Sequence, residues 1–278
     1  MSRIVFSHAN GFPAGTYRML FEAWRAAGHQ VHAVDKFGHD PARPPTSNWP
    51  GLRDELVALI EQVANDAKPV FLVGHSLGGW CSMLAAAQRP DLVKGIVLLD
   101  SPLMGPWLAG AIRLTKPTPI FKRFSPGHVS EGRRQHWPSA DAAHDHFAAK
   151  KLFARWHPQV LRDYIACGIE PNTNTAGDAD KRHRLSFKRD IETRIYNTLP
   201  HHIGSLLRRK PLRCDVAFVG GTESVEVRQL GMRHTERLTH GRLAWIAGSH
   251  LFPFERPAET AVEVLRWLAQ FSASKAAS

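Results

Sequence analysis

Residues 70–83 read VFLVGHSLGGWCSM. Four apolar residues of the kind that fill a buried parallel strand run straight into Gly74-His75-Ser76-Leu77-Gly78, and a helical pattern begins at once. A strand turns into a helix over so few residues only through a sharp, strained corner, whose crowding calls for glycine two residues to either side of the serine. Such a corner leaves the Ser76 hydroxyl clear of the sheet edge, with the N-terminus of the following helix aimed at its reaction partner. Few folds accommodate that element.

The rest of the chain fits it. Short Val- and Ile-rich runs recur at Arg3–Ser7, Gln30–Val34, Val70–Val73, Gly95–Leu99, Val216–Val219 and Leu243–Ile246. Helical patterns lie between or after them, at about Thr16–Ala27, Gly51–Asn65, Leu77–Gln88, Ser224–Met232 and Pro257–Phe271. This alternation predicts an α/β fold with a doubly wound, mostly parallel sheet of about six strands. Between residues 101 and 200 the alternation stops, and helical patterns near Asp141–Trp156 and Pro158–Cys167 are followed by the turn-forming NTNTAGDAD of 172–180. The expected organisation is a core of 1–100 and 201–278 with a mostly helical lid, 101–200, inserted at the carboxyl ends of the strands, where α/β proteins bind ligands. The terminal ASKAAS reads as a frayed tail.

Composition narrows the partners. With 43% apolar and 22% charged residues the chain is neither disordered nor membrane-spanning, for no run of about 18 uncharged apolar residues occurs. The first residues, MSRIVFSHANG, lack signal-peptide anatomy, and three widely spaced cysteines, Cys81, Cys167 and Cys214, suit neither a disulfide framework nor a zinc site. A cytoplasmic setting is expected. The net charge of +11 is concentrated in 101–200, which holds 16 Lys and Arg against 9 Asp and Glu, scattered singly and in pairs. With no nucleic-acid motif beside it, this reads as a solvated basic surface with weak anion attraction rather than a nucleic-acid site.

The motif Gly74-His75-Ser76-Leu77-Gly78-Gly79, with a strand before it and a helix after it, resembles that of the α/β-hydrolase fold serine hydrolases, the carboxylesterases and lipases among them. The likeness runs from Ile4 to about Leu268 and includes the lid position. It implies that the chain opens on the family's third strand and lacks the first two edge strands.

On that resemblance Ser76 is the nucleophile, and it needs a base. Among 16 histidines position must choose. His250 follows the last strand run in a Gly-rich turn, with Gly248 before it and Glu255 and Pro257 after it, as in family members, so His250 is expected to be the general base. After Val216–Val219 comes Gly220-Gly221-Thr222-Glu223, where the family usually shows an aspartate; Glu223 is expected to complete the triad, in the order Ser76, Glu223, His250. Two alternatives stay open: Asp100, which ends the strand run before SP, and Glu226, one helical turn beyond Glu223. The loop His8-Ala9-Asn10-Gly11 resembles the family's His-Gly oxyanion loop with Ala9 in place of glycine. It implies an oxyanion hole built from the N–H groups of Asn10 and Leu77, with His8 bracing the loop.

Nothing points to a cofactor or a metal: His144 and His146 lie on opposite sides of their helix, and HExxH, P-loop and GxGxxG motifs do not occur. Cys81 reads as structural. The aromatics Trp107, Phe121, Phe124, Trp137, Phe147, Phe153, Trp156 and Tyr164 are expected to pack the lid's own core, Trp80 to face either core or pocket, and Arg155 or Arg162 to be able to receive a substrate carboxylate. The expected activity is that of a cofactor-independent serine carboxylesterase on a small to medium acyl ester. Carbon–carbon bond hydrolysis or acyl transfer by the same triad and, in another class, a non-catalytic ligand binder on the same fold are the rivals. A homodimer is left open.

Overall fold

The computed structural model describes residues 1–66, 68–118, 121, 125, 127–173 and 178–276. Phe124, residues 174–177 of the polar loop and the last two residues of the tail lie outside the described residues. Six strands, β1 (Arg3–Ser7), β2 (Gln30–Ala33), β3 (Val70–His75), β4 (Val93–Leu99), β8 (Asp215–Gly221) and β9 (Leu243–Ile246), form one sheet in the order β2-β1-β3-β4-β8-β9. Every pairing in it is parallel. β3 and β4 sit at the centre and are almost wholly buried, which is why they read as unbroken apolar runs rather than alternating ones.

Two layers of apolar side chains cover the sheet. On one face Phe6, Phe71 and Val97 pack with Trp24 of the helix Arg18–Ala26 and with Val264 and Phe271 of the helix Pro257–Ala276. On the other face Val5, Leu72 and Ile96 pack with Leu56 and Ile60 of Pro50–Val63 and with Met83 and Leu84 of Leu77–Gln88. The helix Leu77–Gln88 is buried along nearly its whole length, so it carries apolar or small residues all round.

Between β4 and β8 the chain builds the region over the strand ends, with differences from the sequence expectation. Helices cover Pro106–Thr115, Ala140–Ala148, Pro158–Gly168 and Arg189–Asn197, and Phe153–Arg155 is a single tighter turn rather than an extension of the second of these. A small antiparallel sheet, β5 (His136–Trp137), β6 (Ile169–Pro171) and β7 (His183–Leu185) in the order β5-β7-β6, ties the segments together. Strands of two or three residues leave no periodicity to read. The aromatics do not form a separate core. Trp156 stacks on Phe254 at 4.5 Å, Phe12 lies 5.6 Å from Trp156, and Trp137, Phe147, Phe153 and Tyr164 belong to the same apolar cluster as the sheet face beneath. Two of the expected aromatics stand outside it: Phe121 is half-buried, and Trp107 is 93% exposed on the helix Pro106–Thr115. After β8 the expected single helix is two, Val225–Leu230 and Arg233–Thr239, because Gly231 at φ +70 breaks it.

Candidate active site

The site is assembled where the central strands end, because each parallel ladder continues one rung past its strand. The Ser76 N–H donates to Leu99 O at 2.9 Å, and the Asp100 N–H donates to Val219 O at 2.8 Å. Both residues then turn sharply out of the sheet, Ser76 at φ 54 and ψ −116 and Asp100 at φ 46. A positive φ in a residue with a side chain is strained and persists only where the surroundings fix it. The fixing is by close packing: a Cβ on Gly74 would run into the Gly78 backbone, and one on Gly78 into the Ser7 carbonyl. Ser101 locks the corner from the side, its hydroxyl donating to Ser76 O at 2.9 Å in the space that Gly79 leaves open.

His250 lies on the loop after β9. Its backbone carbonyl accepts a hydrogen bond from His75 Nε2 at 2.9 Å, and the neighbouring Ser249 hydroxyl donates to Glu255 at 2.5 Å. His250 Nδ1 is 2.6 Å from Asp100 Oδ2. Through that bond Nδ1–H donates to the carboxylate, which leaves Nε2 as the basic nitrogen. The Asp100 carboxylate is fully engaged, since Oδ1 accepts from the Gly221 N–H at 2.8 Å and Oδ2 also accepts from the Ser224 hydroxyl at 2.5 Å. Burial opposes the imidazolium, but the Asp100 hydrogen bond, the Asp100 charge and the charge of Glu226 together raise the His250 pKa above its ordinary value.

The structure therefore corrects the expectation for Glu223. Its side chain is 57% exposed and pairs with Arg155 at 2.9 Å, not with His250. Arg155 also reaches Glu255 at 3.1 Å, so Glu223 helps pin the turn Phe153–Arg155 to the core. Arg155 is thereby committed to two carboxylates, and Arg162 is tied to Gln159 on the protein surface, so neither candidate cation faces a ligand freely. Glu226 stands between the two alternatives: its Oε2 is 3.7 Å from His250 Nδ1, beyond hydrogen-bond range but close enough to be felt electrostatically. β4 and β8 are neighbours, so the turns after both end beside one another, and the backbone of Asp100 at φ 46 with its bonds from Gly221 and Ser224 turns that carboxylate to His250.

The loop of His8, Ala9 and Asn10 follows β1. His8 is buried and neutral, its pKa pushed down to about 4 by burial. It accepts from the Phe37 N–H at 2.9 Å through Nε2, which leaves Nδ1–H to donate to Ala9 O at 2.8 Å. His8 thus braces the loop, as expected. Asn10 is fixed by its side-chain amide donating to Glu192 O at 3.0 Å. Leu77 is the first residue of its helix, where N–H groups have no intrahelical acceptor. Asn10, Leu77, Ser76 and His250 line one cavity together.

A feature absent from the sequence reading joins these loops. Buried Tyr17 receives the Ala9 N–H at 3.0 Å and lies 2.8 Å from His75 Nδ1. Since His75 Nε2–H is spent on the His250 carbonyl, Nδ1 must accept from the tyrosine hydroxyl. Burial holds the His75 pKa well below its ordinary value, which keeps this tautomer neutral. One chain of hydrogen bonds thus runs from the loop of Ala9 and Asn10 through Tyr17 and the residue before Ser76 to the His250 loop. The motif places His75 beside Ser76, but Tyr17 sits 58 residues away and no local pattern announces it.

Two spaces meet at Ser76. One is an apolar chamber of about 120 Å³ walled by Trp49, Trp80, Ile195, Leu199 and Leu230. Trp80 therefore faces the pocket, with its indole N–H donating to Pro102 O at 3.1 Å. The other is an open vestibule of about 730 Å³ with Phe12, Arg133, Lys150, Leu152 and Glu223 at its walls. Asp100, Glu226 and His250 are the group of described residues with donor atoms close enough to approach a cation together, within 4.8 Å of one another. The 2.6 Å bond between His250 and Asp100 is shorter than the roughly 3 Å that separates two ligand atoms each about 2.0–2.1 Å from a zinc ion, so that arrangement is a hydrogen-bonded pair. Cys81 is buried, and burial raises its thiol pKa, as suits a packing residue.

Known proteins share this arrangement at the level of family and fold. Among curated proteins the chain is 34% identical over 99 residues to the sn-1-specific diacylglycerol lipase of Mus musculus, covering 35% of this chain and 32% of that one. It is 36% identical over 106 residues to the monoglyceride lipase of Rattus norvegicus, covering 36% and 35%. The aligned part spans about a third of the length of these relatives. Among solved structures, E-2-(acetamidomethylene)succinate hydrolase superposes with a TM-score of 0.74 at 20% identity, over 96% of this chain and 91% of that one. An esterase of M. tuberculosis does so at 0.67 and 20%, over 97% and 85%. The profile of the alpha/beta hydrolase family matches residues 4–264, and with the six-stranded parallel sheet and the serine corner already in place, the chain belongs to that family.

Proposed function

We propose that this protein is a cofactor-independent serine carboxylesterase in which Ser76 attacks an ester carbonyl, His250 takes the serine proton and Asp100 holds the imidazole. The observation that carries the reading is the 2.6 Å bond from His250 to a buried, fully hydrogen-bonded Asp100, one strand over from a strained Ser76. The N–H groups of Asn10 and Leu77 hold the oxyanion of the tetrahedral intermediate. His250 then protonates the departing alkoxide, and a water molecule deprotonated by His250 releases the acid.

The shape of the site supports a short acyl group in the apolar chamber and the alcohol portion in the vestibule. About 120 Å³ lies well below the roughly 300–1,000 Å³ of pockets that hold drug-sized ligands. A non-catalytic binder has no use for a strained serine beside a hydrogen-bonded His–Asp pair.

The test is hydrolysis of p-nitrophenyl esters from acetate to dodecanoate by the wild type and by Ser76→Ala, with fluorophosphonate labelling of both. Turnover confined to short chains and lost in the variant supports the proposal. Failure of the probe to label Ser76, together with no turnover of any ester, overturns it.

A further inference from the structure

Away from the active site, the helix Pro106–Thr115 leaves β4 and contributes no buried residue. At about 100° per residue, Trp107, Ala111 and Leu114 share one stripe along it. Trp107 is 93% exposed and Leu114 73%, two of the most exposed large apolar side chains among the described residues. An exposed tryptophan one helical face from water is costly unless something covers it.

The neighbouring face of the same helix, through Pro106, Ala109, Gly110 and Arg113, forms one wall of a groove of about 730 Å³. The opposite walls come from the helices Ile203–Arg209 and Arg233–Thr239. Arg113, Arg208, Arg209 and Arg237 line it with three histidines, His201, His202 and His234, and no carboxylate does. Among the described residues none of these arginines is in an ion pair. Elsewhere Arg18, Arg89, Arg133 and Arg155 each pair with a carboxylate.

We propose that this face docks on the surface of an anionic lipid bilayer, with Trp107 and Leu114 entering the headgroup region and the groove arginines receiving lipid phosphates. The two halves select that partner over others. Uncompensated arginines side by side call for several negative charges at once, and a planar guanidinium fork matches phosphate oxygens. A free polyanion would satisfy the arginines but leave the tryptophan stripe in water, whereas an interface offers an apolar layer and phosphates a few ångströms apart. Tryptophan is the residue that favours that boundary. The helix is short and carries its one charge, Arg113, off the stripe, so it lies on a membrane and does not cross it; no helix among the described residues is long and apolar enough to do so.

The experiment is co-sedimentation of the intact protein with sucrose-loaded vesicles of phosphatidylcholine alone and with 30% phosphatidylglycerol. The variants are Trp107→Ser/Leu114→Ser and Arg208→Glu/Arg209→Glu, with soluble-ester turnover as the check on folding. Binding to the anionic vesicles, weakened at least about 25-fold in the double charge reversal (about fivefold for each arginine lost) and about fivefold or more in the apolar variant, supports the proposal. No sedimentation with anionic vesicles at low salt overturns it. So does binding that the apolar variant retains in full and that heparin competes away, because the face is then a polyanion site.

Discussion

Tyr17 and His75 meet at 2.8 Å beneath the active site, the phenol donating to Nδ1 while its oxygen takes the Ala9 N–H. Tyr17→Phe keeps the ring contacts with Phe6 and Phe254 and deletes only the hydroxyl. Two buried polar groups, the Ala9 N–H and His75 Nδ1, then lose their partner. The variant is expected to be less stable by about 1–3 kcal/mol for each group left unpaired. It should also lower kcat more than it raises KM, because the loop it loosens carries Asn10, the proposed oxyanion donor. Urea unfolding and steady-state kinetics check both, and an unchanged kcat would show that the relay holds the fold alone.

Asp100→Asn is expected to lower kcat by about 10⁴-fold, since an amide at Oδ2 forces the wrong imidazole tautomer. Glu223→Gln should leave kcat within about twofold, for it removes only a half-exposed ion pair with Arg155. The contrast between these two, measured on one short-chain ester, separates the two carboxylates. Equal losses would return Glu223 to the site.

The pH dependence follows from His250. Only the neutral imidazole can take the serine proton, so kcat/KM rises with pH through the folded-state pKa, which lies above the ordinary histidine value. Glu226→Gln removes one of two carboxylates that favour the imidazolium while leaving the Asp100 bond in place. The acid limb of kcat/KM should then move to lower pH, with relative activity gained on the acid side. A limb that stays put would mean that solvent screens Glu226 fully.

Trp80→Ala opens the wall of the apolar chamber while leaving Ser76, His250 and Asp100 in place. Activity should extend to longer acyl chains, and kcat/KM for acetate should fall as the small group loses its packing. A chain-length series on both proteins checks this. An unaltered profile would place the acyl group in the vestibule instead.

The local parts of this protein could be read directly from its sequence. The strand, the strained corner and the helix around Ser76 are contiguous, as are the Gly-rich turn of His250 and the loop of His8 and Asn10, so residue order alone determines each. The six core strands and the helices of the core follow for the same reason, since continuous apolar runs and 3.6-residue periodicity are local signals. What the sequence left open depends on which elements become neighbours. β4 and β8 lie side by side, so both offer a carboxylate to His250, and the choice of Asp100 rests on a backbone bent to φ 46 and on hydrogen bonds from Gly221 and Ser224, more than 120 residues away. The Tyr17–His75 contact, the joining of the aromatics of 137–164 to the core through Trp156 and Phe254, and the chamber walls drawn from Trp49, Trp80 and Ile195 are likewise products of packing between distant segments. Close packing and hydrogen-bond satisfaction act between whatever residues the fold brings together, and only the tertiary structure says which those are.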